Sequence, residues 1–428
     1  MWKKRKYVLA LCTSTWLLAN AAFAEESLSI GEATRKTLSN HAALQVFSYR
    51  EAALAGRRQS SALRPALVFG SELENFAGSG TTNGFDETEV TVTLSSVIEL
   101  GSKRQARIAS IDARAGLLEL ERQTQALDVL GAMTTQFIAV MALQERLGLA
   151  RESEALAKET AAAVKIRVDA GAAPDAEWLR AQAVHSQARV TVTRIARELE
   201  VSKVALASFW GERNTTVSPV GGDLFNFGSS IPFQTLFQRS VDSPGIQIYA
   251  SQERLQETAV NLAKTKRKAD LSWSLGVRRL EGPGDTALVA SIEMPLFSGR
   301  RNRGNVSAAM AARNEVPIRR EQALNELYAR LFDGYRTRAQ SIEASRTMQV
   351  ETIPALEQAL STTQRAYESG RYGYLDLIAA QQALVDAKAN LIDTAAAALQ
   401  AGVIIEQLTG LSLANSEAAQ QPTKEHVR

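Results

Sequence analysis

The sequence predicts a mostly helical protein of long paired helices that carry short β-hairpins, built as two copies of one half. Three observations predict it. The stretch Arg167 to Gln182 returns as Arg365 to Gln381 at an offset of 199, so Gly171 falls on Gly370, Glu177 on Asp376 and Gln182 on Gln381. Two runs, Lys103 to Ala170 and Arg303 to Ser369, keep apolar residues at helical spacing with few breakers. In each half the apolar period also changes to two over a pair of segments, the spacing of a two-faced strand. A repeat of this length is too long for a solenoid and reads as a duplicated half-protein.

The chain opens with Lys3, Lys4, Arg5 and Lys6, an apolar run from Tyr7 to Ala22, and Ala22-Phe23-Ala24. That is the pattern of a secretory signal over residues 1–24, with the mature chain expected from Glu25. Removing the four basic residues takes the formal charge from +3 to about −1, so the basic balance gives no support to nucleic-acid binding. The single cysteine, Cys12, lies inside the signal. The mature chain is therefore expected to hold no disulfide and no thiolate metal site. No later stretch reads as the ~20 apolar residues of a spanning helix.

The first half is expected over 25–235 and the second over 236–411, with a polar tail at 412–428. Leu28 to Leu63 reads as helix, and Asn40 to Gln45 reappears as Asp242 to Gln247. Pro65 ends that helix. A hairpin is expected at 66–99, with Val90, Val92 and Leu94 on one face and Thr91, Thr93 and Ser95 on the other. Its counterpart at 271–296 is clearer. There Leu271, Trp273, Leu275 and Val277 alternate with polar or small residues. After the turn Gly282-Pro283-Gly284, Leu288 and Ile292 share a face with Ala290 and Met294. Each segment is about the ~9–11 residues that a tilted strand needs to cross a bilayer. Two soluble hairpins with one buried face would show the same alternation.

The long runs follow, with Pro317 and Pro354 expected to kink or interrupt the second. Gly171 and Gly370 supply left-handed caps, and Pro174 or Gly373 prevents simple continuation, so hairpin tips are expected near 171–177 and 370–376. Return helices are expected at Asp175 to Ser208 and Tyr374 to Leu408. Between Phe209 and Phe233 the pattern is lost in a Gly/Pro/Ser/Asn segment, assigned as an interruption at 209–235.

The duplicated halves, the helix starts at Asn40–Leu44 and Pro244–Ile246, the two hairpins and the two tips together resemble the TolC-like outer-membrane efflux proteins. These are the exit ducts of tripartite efflux systems. Glu99-Leu100-Gly101-Ser102-Lys103-Arg104 is similar to the strand-to-helix junction of the cobalt-zinc-cadmium subgroup. The resemblance implies an all-α long helical barrel plus a transmembrane β-barrel, in the outer membrane with a long periplasmic extension. It implies a homotrimer, a periplasmic adaptor and an inner-membrane RND-type pump as partners, contact with outer-membrane lipid, and no cofactor. Geometry points the same way. Four strands cannot close a barrel, and an open edge is not tolerated in lipid. Eight strands would be filled by side chains, whereas twelve, from three chains, leave a lumen.

By that resemblance Asp376 matches a gate aspartate and Glu177 the acid of the first tip. Tyr367 matches a tyrosine that ties neighbouring tip helices in the closed state. A ring of carboxylates favours cations, whereas an acid in a first helical turn also simply suits the macrodipole. The chain departs from the pattern at Ala379, where some relatives carry a second aspartate, and at Tyr372, where an arginine link is found. Arg371 is the candidate to supply that charge. His41 and His185 stand isolated on helices, where histidine is usually structural, and His426 lies in the tail. No phosphate-binding Gly-Lys-Ser/Thr loop, His-Glu-x-x-His or Gly-x-Ser-x-Gly occurs, so no enzyme is expected. The reading is a passive outer-membrane duct for divalent metal cations of the cobalt, zinc, cadmium or nickel type. A multidrug or type I secretion duct is the alternative, and a periplasmic coiled-coil adaptor or scaffold the rival of another class.

Overall fold

A computed structural model describes residues 27–213 and 219–413. The signal and most of the polar tail lie outside the described residues. Helix α1 (Ile30–Asn40) and α2 (Ala42–Ala62) form the first helical stretch, broken at His41, whose backbone is extended. After the first hairpin, α3 (Lys103–Asp169) runs 67 residues, about 100 Å at 1.5 Å per residue. The chain then turns into α4 (Asp175–Ala207) and, past the Gly/Pro-rich interruption, α5 (Phe233–Val241) and α6 (Pro244–Thr265). The second half follows with a short α7 (Ser298–Arg301), α8 (Arg303–Thr347), α9 (Ile353–Glu368) and α10 (Tyr374–Thr409).

Helix α3 packs along α4 over one part of its length and along α6 over another, as a single long rod beside two stacked shorter ones. The two halves meet along α3 and α10, which run antiparallel. Gln381 Nε2 donates to Thr160 Oγ1 at 2.9 Å, Arg146 pairs with Asp393, and Gln407 Nε2 donates to Asp128 Oδ1 at 2.6 Å. Both α3 and α10 contain stretches apolar enough to cross a membrane by length and composition, contrary to the expectation from sequence. Much of each stretch is buried against neighbouring helices, which is where its apolar content goes.

Pro317 does not interrupt α8; it sits inside the helix at an exposed position, where packing does not oppose a small bend. The regular helix changes instead at Met348–Thr352, a π-turn, after which Pro354 occupies the first turn of α9. The backbone stays helical from the π-turn into α9, so the N–H that Pro354 lacks is an interior one, and its loss coincides with the widened turn.

The strands are β1 (Val68–Glu74), β2 (Glu89–Ile98), β3 (Leu271–Leu280) and β4 (Asp285–Glu293), in one antiparallel sheet of order β1-β2-β3-β4. Register decides the faces. Phe69 lies opposite Leu94, Leu94 opposite Leu275, Val92 opposite Val277 and Val277 opposite Leu288. Trp273 lies opposite Ile292, Ile98 opposite Leu271, and Leu73 opposite Val90. One face is thus mainly apolar across all four strands, with Ser71, Ser96, Arg279 and Thr286 its polar members. It is uncovered by the chain: Leu288 is 81% and Ile292 74% exposed. The other face carries Thr91, Thr93, Ser274 and Arg278; Arg278 bridges Glu89 at 2.7 Å and Glu74 at 3.1 Å. A soluble hairpin would bury its apolar face on its own helices, and this one does not.

The core is divided. A central cluster packs Met133, Phe137 and Val140 of α3 against Leu206, Trp210 and Val220. There the interruption is tied down by Gln144, whose amide donates to and accepts from the Val220 backbone at 3.0 and 2.8 Å. A smaller cluster fills the tip.

Candidate functional site: the helical tip

The two tips fold alike because both need a left-handed residue. Gly171 has φ +72° and Gly370 φ +74°. Gly171 N donates to Val168 O and Ala172 N to Arg167 O, at 2.9 and 2.8 Å. Gly370 N and Arg371 N make the same bonds, to Tyr367 O and Ala366 O, at 2.9 and 2.8 Å. This is the 6→1 and 5→2 pairing that closes a helix end.

The copies differ in what lies between them. Arg167, where the second copy has Ala366, crosses to the other hairpin. Its Nη1 donates to Tyr367 O at 2.6 Å, and its guanidinium lies 4.6 Å from the Tyr367 ring centroid. Tyr367 and Tyr374 are 3% and 2% exposed, packed with Val164, Ala181 and Leu377. Neither phenol oxygen has a hydrogen-bond partner among the described residues. Burial first, and then the nearby Glu177 carboxylate, push the Tyr367 hydroxyl above its ordinary pKa of 10.0. Burial does the same to Tyr374.

The tip acids are placed differently from each other. Glu177 is half-buried beside Tyr367, its N–H bonded to Pro174 O at 2.9 Å. Asp376 is exposed, and its Oδ2 accepts the Gly373 N–H at 3.0 Å, so it caps its own helix. Arg371 is exposed and donates to Ser369 Oγ at 3.1 Å. Tyr367 thus ties two hairpins of one chain. Sequence reasoning gave no role to Arg167 or Tyr374. The signal was there in Arg167, a charged residue where its copy has alanine.

Among the described residues no group of three or more His, Cys, Asp or Glu is placed to hold a metal ion. His41 caps α2, its Nδ1 accepting from Ala43 N at 3.2 Å. His185 is not isolated as expected: it lies 3.2 Å from Glu154 across α3 and α4. His426 is outside the described residues.

The family model described as outer membrane efflux protein matches residues 34–212 and 234–411, both halves with a gap at the interruption. The chain belongs to the outer membrane efflux protein family. It is similar to the cobalt-zinc-cadmium resistance protein CzcC of Cupriavidus metallidurans, 24% identical over 73% of this chain and 75% of that one. It is also similar to the pyoverdine export outer membrane protein OpmQ of Pseudomonas putida, 21% identical over 73% of this chain and 67% of that one. In fold it is similar to the solved channel CusC, with a TM-score of 0.76 at 14% identity over 89% of this chain and 91% of that one. The protein is thus an outer-membrane efflux channel of the tripartite type, with its long helices in the periplasm. Channels of this family form trimers and work with periplasmic adaptors and inner-membrane RND pumps. Family and fold are those of channels, not of enzymes or of adaptors.

Proposed function

We propose that this chain is the passive exit duct for divalent heavy-metal cations, of the cobalt, zinc, cadmium or nickel type, expelled by an RND pump. Three copies close a twelve-stranded barrel, because β1 and β4 each leave an unpaired edge that lipid does not tolerate. In it Val90, Val92 and Leu94 of β2, Leu271, Trp273, Leu275 and Val277 of β3, and Leu288 and Ile292 of β4 face lipid. The two repeats, 25–235 and 236–411, each supply one hairpin and one tip. Asp376 and Arg371 set the field at the periplasmic end, with Glu177 and Tyr367 behind them and Gly171 and Gly370 fixing the turns.

The observation that carries the duct is the uncovered apolar sheet face standing on a rod of about 100 Å. Metal cargo is supported by the likeness to a cobalt-zinc-cadmium resistance protein. The likeness to a pyoverdine export protein favours a second reading, an organic cargo. Two measurements test the proposal. Deleting the chain should lower tolerance to at least one of the four metals and leave drug tolerance intact; the reverse pattern would replace metal with an organic cargo. In planar bilayers Asp376→Asn keeps the cap and removes the charge, so cation preference should fall. Unchanged preference in both Asp376→Asn and Arg371→Gln removes them from the gate.

A further inference from the structure

The sheet is electrically lopsided. At its far end the loops 75–88 and 281–284 hold Asp86, Glu87 and Glu281 and no Lys or Arg. The two arginines near that end are engaged, Arg278 with Glu74 and Glu89, and Arg279 with Glu281.

The helix end is the opposite. The chain crosses there four times, at residues 63–67, 99–104, 266–270 and 294–303, and every crossing carries a cation. The first has Arg64 and the second Lys103 and Arg104. The third has Lys266, Arg267 and Lys268, and the fourth Arg300, Arg301 and Arg303. The only acids in these crossings are Glu99 and Asp270, and both are taken: Glu99 by Arg107, and Asp270 by Lys103 at 2.7 Å. The remaining eight cations make no ion pair among the described residues, and all but the half-buried Arg104 are exposed. The crossings are held together. A Cβ on Gly101 would lie 2.6 Å from Lys268 Cδ, and Gly299 sits against Arg267.

Beside these cations the chain exposes apolar side chains. Phe297 is 75%, Leu296 65%, Leu63 65% and Leu67 64% exposed, with Arg300 three residues beyond Phe297 and Arg64 next to Leu63. A free anion would need the charge but not the apolar belt. A soluble surface would carry neither together. Phosphate and acyl chain at one level are the chemistry of a lipid.

We infer that the eight unpaired cations around the helix end of the sheet form a collar that binds anionic phospholipid headgroups of the leaflet facing the periplasm, while Leu63, Leu67, Leu296 and Phe297 lie among the acyl chains beneath. The inference rests on the outer-membrane location alone and is indifferent to cargo. The collar sets how deep the barrel sits. A cation near an anionic leaflet contributes up to about a fivefold preference, so removing three should reduce retention of anionic lipid by about tenfold to a hundredfold.

The test uses the full channel, extracted from membranes and exchanged into nanodiscs of phosphatidylethanolamine with or without phosphatidylglycerol. Lipid retained after partial delipidation is read by native mass spectrometry. Phosphatidylglycerol should be enriched over phosphatidylethanolamine, the enrichment should fall as salt rises, and it should be lost in Arg300→Gln/Arg301→Gln/Arg303→Gln or in Lys266→Gln/Arg267→Gln/Lys268→Gln. Equal retention of the two lipids overturns the inference, as does enrichment that survives both triple variants. So does competition by millimolar inorganic phosphate, which would mark a plain anion site, or stronger retention of lipopolysaccharide, which belongs to the other leaflet. If the triple variants fail to assemble, the salt dependence of the unaltered channel and the single variant Arg301→Gln decide.

Discussion

Arg167 is the one charged side chain seen to fasten the first tip to the second, and its removal should loosen the tip without unfolding the rods. Its Nη1 donates to Tyr367 O at 2.6 Å, and weaker contacts reach Glu368 O and Ala172 O at 3.4 and 3.5 Å. A hydrogen bond from a charged donor contributes about 1.5–3 kcal/mol. Stacking over Tyr367 at 4.6 Å adds about 0.5–1 kcal/mol at a partly exposed site. The guanidinium is half-buried, so the lower part of the summed range applies, about 2–3 kcal/mol. If the tip has a tied and an untied state, Arg167→Ala shifts their ratio by about 30- to 150-fold. Amide exchange over 360–372 should quicken by that order, and conductance in planar bilayers should rise, while exchange in the central cluster stays as it was. Arg167→Lys keeps a charge but loses the planar fork, so it should fall between. Arg167→Ala with unaltered exchange at 360–372 would refute the reasoning, because the bond and the stack would then contribute nothing to holding the hairpins together.

Three further outcomes follow from the same structure. Tyr367 and Tyr374 have hydroxyls raised above 10.0 by burial, so the folded tip disfavours the phenolate. Their contribution is then whole below pH 10 and is lost as pH rises through the raised values. Tip proteolysis should therefore increase at alkaline pH, and Tyr367→Phe/Tyr374→Phe should abolish that rise; a rise of equal size in the double variant assigns it elsewhere. In the sheet, Gly276→Val places a Cβ 2.5 Å from Val92 O and 2.7 Å from Thr93 Cγ2, which should cost about 1–3 kcal/mol and lower the temperature at which the channel unfolds on gels. Gly116→Ala, on an open face of α3 with nothing within 4 Å, should instead be neutral or stabilise by about 0.5–1 kcal/mol.

How much of this was legible in the sequence depends on how local the cause is. Alternation in Leu271 to Val277 fixes which residues share a face, because a strand has a period of two, and the register of β2 with β3 keeps Leu94, Leu275, Val92 and Val277 on that face. Gly171 and Gly370 were legible because only a left-handed residue closes those turns cheaply. The helix start at Asn40–Leu44 was legible as a motif repeated at Asp242–Gln247, and α2 does start there, at Ala42, although Leu28 to Leu63 otherwise read as one helix. The π-turn at Met348–Thr352 was not legible, because no local residue pattern marks a widened turn. Pro317 was expected to kink or interrupt its run and does not interrupt it, because it sits at an exposed position where packing leaves room for a small bend. The hold of Gln144 on Val220, across 76 residues, leaves no periodic trace at all.

The tip itself shows what duplication allowed. Both copies inherit a glycine turn and an acid six residues after it, but the acids now do different things. Glu177 lies half-buried against Tyr367, where its charge raises a neighbour's pKa and where replacing it would disturb packing. Asp376 lies in water, holding only the Gly373 N–H of its own helix with one oxygen. A carboxylate that must act on passing ions has to be free of the core and still fixed in direction, and a helix cap provides both conditions. That is why Asp376, rather than its copy, is the gate candidate. It is also why substitution by alanine would confound two effects, lost charge and a frayed helix start, that asparagine separates.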